Sequence, residues 1–409
     1  MTPAAAHRTR WAAVLAATLT GVAVSMNVGK VPVSLPLVRS EFGLTLLQSG
    51  WVASMLTTLA MLSAVIVGVM AARLGTLRMV MLGLACSVLG SLAGLGATGF
   101  ATLVASRFIE GAGFLFVAVA GSALVSAAAA APDRRFALGV WSSFMPLGAG
   151  AAMALAPLLL PTTGWRGMWI AAAAVLLLAM ALLWRQRGAF VDLADHSESA
   201  APAAPIRASL RVLRQPLPWL LTLAFGAWAI QHFALIIWMP TYLQEQRGLS
   251  SGLAAGLTCL MLLANVPGNL IGGALVQRGL SRGQLIAVAH AGTGLCGWLL
   301  FNEALPDWLR YALTVALSLV GGLIPAAVMS SSTVLARSPG QISVLQGLIM
   351  QGSQLGQFVG TPLIAGLVAS SGQWASARWV TAGSALVGVL MGLAALRCEP
   401  DRAAQGLRT

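Results

Sequence analysis

Two basic residues and one acid sit inside long apolar runs: Lys30, which is the only lysine of the 409-residue chain, Arg107 and Glu110. Two cations beside one carboxylate can hold an anion, and the acid can neutralise a neighbour or carry a proton. A charge at mid-membrane costs about 2.5–3.5 kcal/mol on insertion scales, so such groups tend to face a cavity and serve a function. Lys30 precedes Pro36 by six residues, which at 1.5 Å per residue puts it about 9 Å from the outer end of its helix. Arg107 lies equally far, about 9 Å, into a helix that enters from the same side. Glu110 follows Arg107 by three residues, on the same helical face. Plainer roles compete with these. Lys30 can snorkel to the outer interface, Arg107 can be structural, and Glu110 can serve only as the partner of its neighbouring arginine.

Other polar and aromatic residues could complete a binding site. Asn27 lies one turn from Lys30, and Trp228, Gln231 and His232 share a stripe at helical spacing. Trp238 is expected at the outer interface, where indoles concentrate. Asn265 and Asn269 flank Pro267 and Gly268, a local break whose freed backbone groups need polar partners. Gln346, Gln351, Gln354 and Gln357 cover too wide an arc to face lipid alone, and Trp141 with Phe144 can wall a cavity. For each of these, contact with substrate competes with the packing of one helix on another.

Several chemistries are excluded. Cys86, Cys259, Cys296 and Cys398 are far apart and read as small apolar core residues, with no cysteine–histidine cluster for a metal. No phosphate-binding G-x-x-x-x-G-K-[ST] loop exists, so ATP is not the driver. An enzyme would need a nucleophile–base set at membrane depth, and the runs offer Glu110, His232 and His290 with no cluster. No cofactor is expected. The net charge of +13 is spread through loops one or two residues at a time, so a nucleic-acid surface is not indicated.

The elements that must position these residues are membrane spans. Hydrophobic residues make up 58% of the chain and charged ones 9%, too few charges for a water-facing surface. A span needs about 20 apolar residues. That places helices near 11–35, 46–71, 77–97, 101–127, 136–159, 164–184, 217–240, 252–276, 284–302, 308–334, 342–369 and 376–397. The reading is an all-α membrane protein of twelve transmembrane helices in two six-helix bundles, 1–184 and 217–409, related by pseudo-two-fold symmetry. Residues 185–216, with Asp192, Asp195, His196 and Glu198, form a cytoplasmic linker in which 205–214 can be an amphipathic surface helix. Most arginines, Arg134, Arg135, Arg185 and Arg187 among them, fall on one side. The other side holds Arg39, Arg166, Arg247, Arg310 and Arg378. The positive-inside rule then puts both termini in the cytoplasm. The first run, from Trp11, is read as a retained helix rather than a cleaved signal.

The halves repeat one another. Pro36 and Glu41 after the first helix return as Pro240 and Glu245 after the seventh, and Gly68–Arg73 returns as Gly273–Arg278. Duplicated bundles are the common build of secondary transporters. These features resemble the major facilitator superfamily. Its loop between helices 2 and 3 is matched by Gly68, Arg73, Gly75 and Arg78, without the family's aspartate and trailing basic pair. Its helix 4 pattern is matched by Arg107, Gly111 and Gly113, and Gly164-Trp165-Arg166 fits another loop of the family. Pro36-Leu-Val-Arg39 and the start of helix 4 are similar to the cyanate and 2-nitroimidazole transporter branch.

The resemblance implies a monomeric secondary transporter in a bacterial inner membrane, working by alternating access. Helices 1 and 4 would line its cavity and Gly68, Arg73, Gly75 and Arg78 would serve its gate. With Lys30 and Arg107 as the cavity's cations, the expected cargo is a small anion taken up with protons as coupling ion, through Glu110 and Arg107. Proton-driven efflux of drugs or metabolites is the alternative. The antiporter motif of helix 5 is degraded here, reading Met145-Pro146 and Gly148-Ala-Gly150. A non-transporting receptor or membrane enzyme is the remaining one.

Overall fold

The computed structural model describes residues 9–63, 67, 74–130, 132–190, 210–336 and 339–398, and every regular element among them is helical. We number the spans α1 (Trp11–Phe42), α2 (Leu46–Ser63), α3 (Thr76–Leu95) and α4 (Phe100–Ala128). Next come α5 (134–163), broken briefly at Ser143, and α6 (165–185). The later spans are α7 (Pro216–Arg247), α8 (Ser251–Gln277), α9 (Arg282–Leu299), α10 (Asp307–Met329), α11 (Pro339–Ser371) and α12 (Ala377–Cys398).

Nine helical stretches among the described residues are long and apolar enough to cross a membrane. One of them, Phe136–Arg185, contains both α5 and α6, because Gly164 at φ 64° turns the chain between them. α9 and the glutamine-rich α11 complete the twelve. The ends have local causes. Gly43 closes α1 with a left-handed φ of 60°, a conformation that glycine adopts without a Cβ penalty. Thr45 opens α2 through a reciprocal capping box with Gln48. Of the linker, Arg211–Arg214 forms one 3-10 turn, and 205–209 of the expected 205–214 surface helix lie outside the described residues.

The chain forms two compact units. The first holds α1–α6 together with Ile237–Cys259, and the second holds the remainder of α7 and α8 with α9–α12. In the first unit α1 lies along α5, where Gly29 abuts the Ala149 backbone and Gly148 abuts Val22. α3 meets α4 through Gly83 and Gly113, and Gly111 of α4 rests on the Leu56 backbone of α2. The second unit uses the same device. Gly226 and Gly356 bring α7 onto α11, Gly268 and Gly322 bring α8 onto α10, and Gly283 and Gly392 bring α9 onto α12. Small residues suit this solvent, because lipid tails are as apolar as leucine and close van der Waals contact must drive association.

Three expectations are corrected. Trp238 is buried within the protein rather than exposed at its surface. Arg310 is not a loop residue but sits in the first turns of α10, nearly buried, where its Nε donates to the Leu300 carbonyl at 2.8 Å. That contact satisfies the C-terminal end of α9. Cys398 is exposed, and the other cysteines are only half-buried.

A side chain at Gly29 would have to displace the backbone of α5. Overpacking costs about 1–3 kcal/mol where groups can adjust, and backbone adjusts least. Gly29→Leu should therefore lower the thermal unfolding midpoint of detergent-purified protein by several degrees. Gly273→Leu, in open space, should leave it unchanged.

Candidate functional site

The first unit closes around one charged cluster. Lys30 of α1 and Glu110 of α4 are fully buried, and Arg107 is 1% exposed. α3 makes the approach possible, because at Gly90 an added Cβ would run into the Glu110 side chain and the Ser106 carbonyl. The Lys30 Nζ donates to Glu110 Oε1 at 2.6 Å, Asn27 Oδ1 at 2.7 Å and Ser91 Oγ at 3.1 Å. It also lies 4.4 Å from the centre of the Trp169 ring of α6, a cation–π contact. Lys30 thus points inward, and the snorkelling alternative falls. Arg107 pairs through Nη1 with Glu110 Oε2 and donates from Nη2 to the Asn27 carbonyl at 2.8 Å. Ser91 Oγ lies 2.7 Å from Glu110 Oε1 and 3.2 Å from Asn27 Oδ1.

The cluster is over-supplied with donors. Two cations face one carboxylate. The Arg107 Nε, Asn27 Nδ2 and Trp169 Nε1 groups are buried without any hydrogen-bond partner. An unmatched buried donor costs about 1–3 kcal/mol, so this arrangement is not set for stability alone.

The second unit carries a neutral polar cluster on its own helices. His232 Nε2 lies 2.9 Å from Ser318 Oγ of α10, and its ring stacks on Trp228 with centroids 4.4 Å apart. Asn265 donates to the Ser318 carbonyl at 2.9 Å, and Asn269 donates to Asn265 Oδ1 at 2.7 Å. Trp228, His232, Asn265 and Asn269 are thereby brought together.

The other predicted site residues are placed elsewhere. Gln231 is fully buried and donates to the Thr293 and Thr381 carbonyls, both at 3.2 Å, tying α7 to α9 and α12. Trp141 lies in the apolar core, stacked on Phe144 at 4.7 Å and packed on Gly121, away from Lys30. Gln354 and Gln357 are buried on α11, where Gln357 reaches Ser353 at 3.4 Å, whereas Gln346 is exposed. Gly75, at φ 84°, and Arg78 are exposed at the start of α3. Gly68 and Arg73 lie outside the described residues.

Sequence reasoning missed Ser91 and Trp169. Ser91 follows Gly90 on the close-packed face of α3, and Trp169 follows Trp165 by one helical turn. Two motifs read separately prove to touch. Glu41 accepts from Trp165 Nε1 at 2.6 Å and from Arg166 at 2.7 Å. Its repeat counterpart Glu245 pairs with Arg39 at 2.5 Å.

Comparison with known proteins agrees with this architecture. Residues 14–361 match the sequence profile of the Major Facilitator Superfamily. The chain is 29% identical over 301 residues to the protein named "Probable sulfoacetate transporter" of Cupriavidus necator, and the match spans 66% of each chain. It is 25% identical to the methylenomycin A resistance protein of Streptomyces coelicolor, across 93% of this chain and 91% of that one. A bacterial homologue of the human lysosomal transporter Spinster shares the fold. Its TM-score is 0.78 at 15% identity, covering 94% of this chain and 96% of its own.

Removing one partner of a buried ion pair costs about 3–5 kcal/mol, because the other charge is left uncompensated. Glu110→Gln should therefore lower thermal stability sharply. Adding Lys30→Gln should restore part of the loss, a non-additivity read from a double-mutant cycle of unfolding midpoints.

Proposed function

The chain belongs to the major facilitator superfamily and is a secondary transporter, not an enzyme; from that premise we propose that it takes up a small anion together with protons. The observation that carries this reading is the imbalance of the α1–α4 cluster. Lys30 and Arg107 exceed Glu110 by one positive charge, and buried donors on Arg107, Asn27 and Trp169 await acceptors. A carboxylate or sulfonate supplies both the missing charge and the missing acceptors. Sulfoacetate, the named cargo of the Cupriavidus necator relative, carries both groups.

Transport proceeds by alternating access between the bundles 1–184 and 217–409, with the loop bearing Gly68, Arg73, Gly75 and Arg78 acting at the inner gate. Cargo drives the switch only through differential affinity for the two states. The protein works as a monomer in a bacterial inner membrane, with both termini in the cytoplasm.

Efflux is the second reading. The resistance protein of Streptomyces coelicolor, which aligns over nearly the whole chain, favours it. Overexpression that raises tolerance to methylenomycin A or other drugs would select that reading over anion uptake.

The test is counterflow into proteoliposomes, using labelled sulfoacetate, monocarboxylates, dicarboxylates, cyanate, nitrate and a 2-nitroimidazole. Wild-type protein should exchange at least one anion and respond to an imposed proton gradient. Truncating one partner of a buried charge pair typically costs about 2–5 kcal/mol of binding, more than about tenfold in affinity. Lys30→Gln and Arg107→Gln should lose transport accordingly while still eluting as folded monomers. Counterflow that persists in both would remove the cationic site from the mechanism.

A further inference from the structure

We infer that Lys30, rather than Glu110, is the group that exchanges the coupled proton, and that one monoanion and one proton load the cluster together. The inference rests on the anion reading above and assigns its coupling group.

The argument is charge balance in a buried site. The groups facing the Lys30 Nζ among the described residues are Glu110 and, behind it, Arg107 of α4, Ser91 of α3, Asn27 of α1 and the Trp169 ring of α6. Only three of these groups, Lys30 included, carry charge. With all three ionised the cluster holds one uncompensated positive charge at zero solvent exposure, and an uncompensated buried charge is costly. Two compositions restore neutrality. One keeps the lysine ammonium and adds a monoanion. The other has neither, with Lys30 as a free amine. Arginine cannot supply the exchange, because its guanidinium stays protonated in proteins. Glu110 cannot either, because protonating it would raise the surplus to two positive charges.

The local hydrogen bonds allow the change. An ammonium donates three times, and the Lys30 Nζ has three acceptors within reach, Glu110 Oε1, Asn27 Oδ1 and Ser91 Oγ. An amine donates only twice and gains a lone pair. The Ser91 hydroxyl, which accepts from the ammonium, can rotate and donate to that lone pair. The unpartnered Asn27 Nδ2 and Arg107 Nε lie on the two side chains that flank the pair, which puts the anion's place beside them. In the step itself, the anion leaves to the inner aqueous phase and the Lys30 N–H bond breaks. The proton goes to water on that same side, and the electron pair stays on nitrogen. The empty carrier then returns neutral.

One test needs no cargo. The chain has a single lysine, so 15N-lysine labelling gives one side-chain nitrogen signal, and ammonium and amine differ in chemical shift. In anion-free bilayers titrated across the range where a solvated lysine, with pKa near 10.4, stays charged, the signal should pass from ammonium to amine. A signal that remains ammonium throughout overturns the inference, whatever the cargo proves to be.

A second test uses transport of sulfoacetate and propionate in proteoliposomes. Lys30→Arg keeps the positive charge but cannot release the proton. Its proton-driven accumulation should fall further than its counterflow, so that the ratio of the two drops well below the wild-type ratio. Accumulation at the wild-type level in Lys30→Arg would overturn the assignment. Failure of wild-type protein to move either anion would instead count against the anion reading, while the nitrogen signal still decides the protonation of Lys30.

Discussion

A single buried carboxylate shared by two cations is the constraint around which the first unit is organised. Glu110 cannot reach both Lys30 and Arg107 unless α1, α3 and α4 approach within side-chain length of one another. Gly90 permits that approach on α3, and Gly113 permits it on α4. Asn27 serves twice, with its side-chain oxygen on Lys30 and its carbonyl on Arg107. The backbone of α1 is therefore part of the electrostatics as well as the scaffold.

The second unit repeats the contact without the charge. Lys30 and Glu110 join α1 to α4, and His232 and Ser318 join α7 to α10. The same pair of helices is joined in each repeat, with different chemistry. One half holds ions and the other holds neutral donors, acceptors and a stacked indole.

Much of this was legible in the chain. The twelve spans follow from apolar run length. Lys30, Arg107 and Glu110 stood out because charges are rare in apolar runs. Their mutual pairing was only half visible. The Arg107–Glu110 contact is local and follows from i,i+3 spacing, but the Lys30–Glu110 contact joins residues 80 positions apart. Ser91 and Trp169 were hidden for the same reason, since nothing in their own helices marks them. Trp141 shows the converse. An aromatic beside a proline suggested a cavity wall, yet small residues such as Gly121 made a socket for it in the core. Hydropathy placed Trp238 at an interface because it cannot see tertiary burial.

The lysine in the first unit has a practical consequence outside transport. All other cationic side chains of the sequence are arginines or histidines, and Lys30 has no exposed surface in this conformation. Reagents that target side-chain amines, such as succinimidyl dyes, formaldehyde or lysine-directed crosslinkers, would find no accessible side-chain target on the folded molecule. A lysine introduced into any loop would then be the one exposed lysine side chain, a handle for a fluorophore or a support that needs no native lysine to be removed.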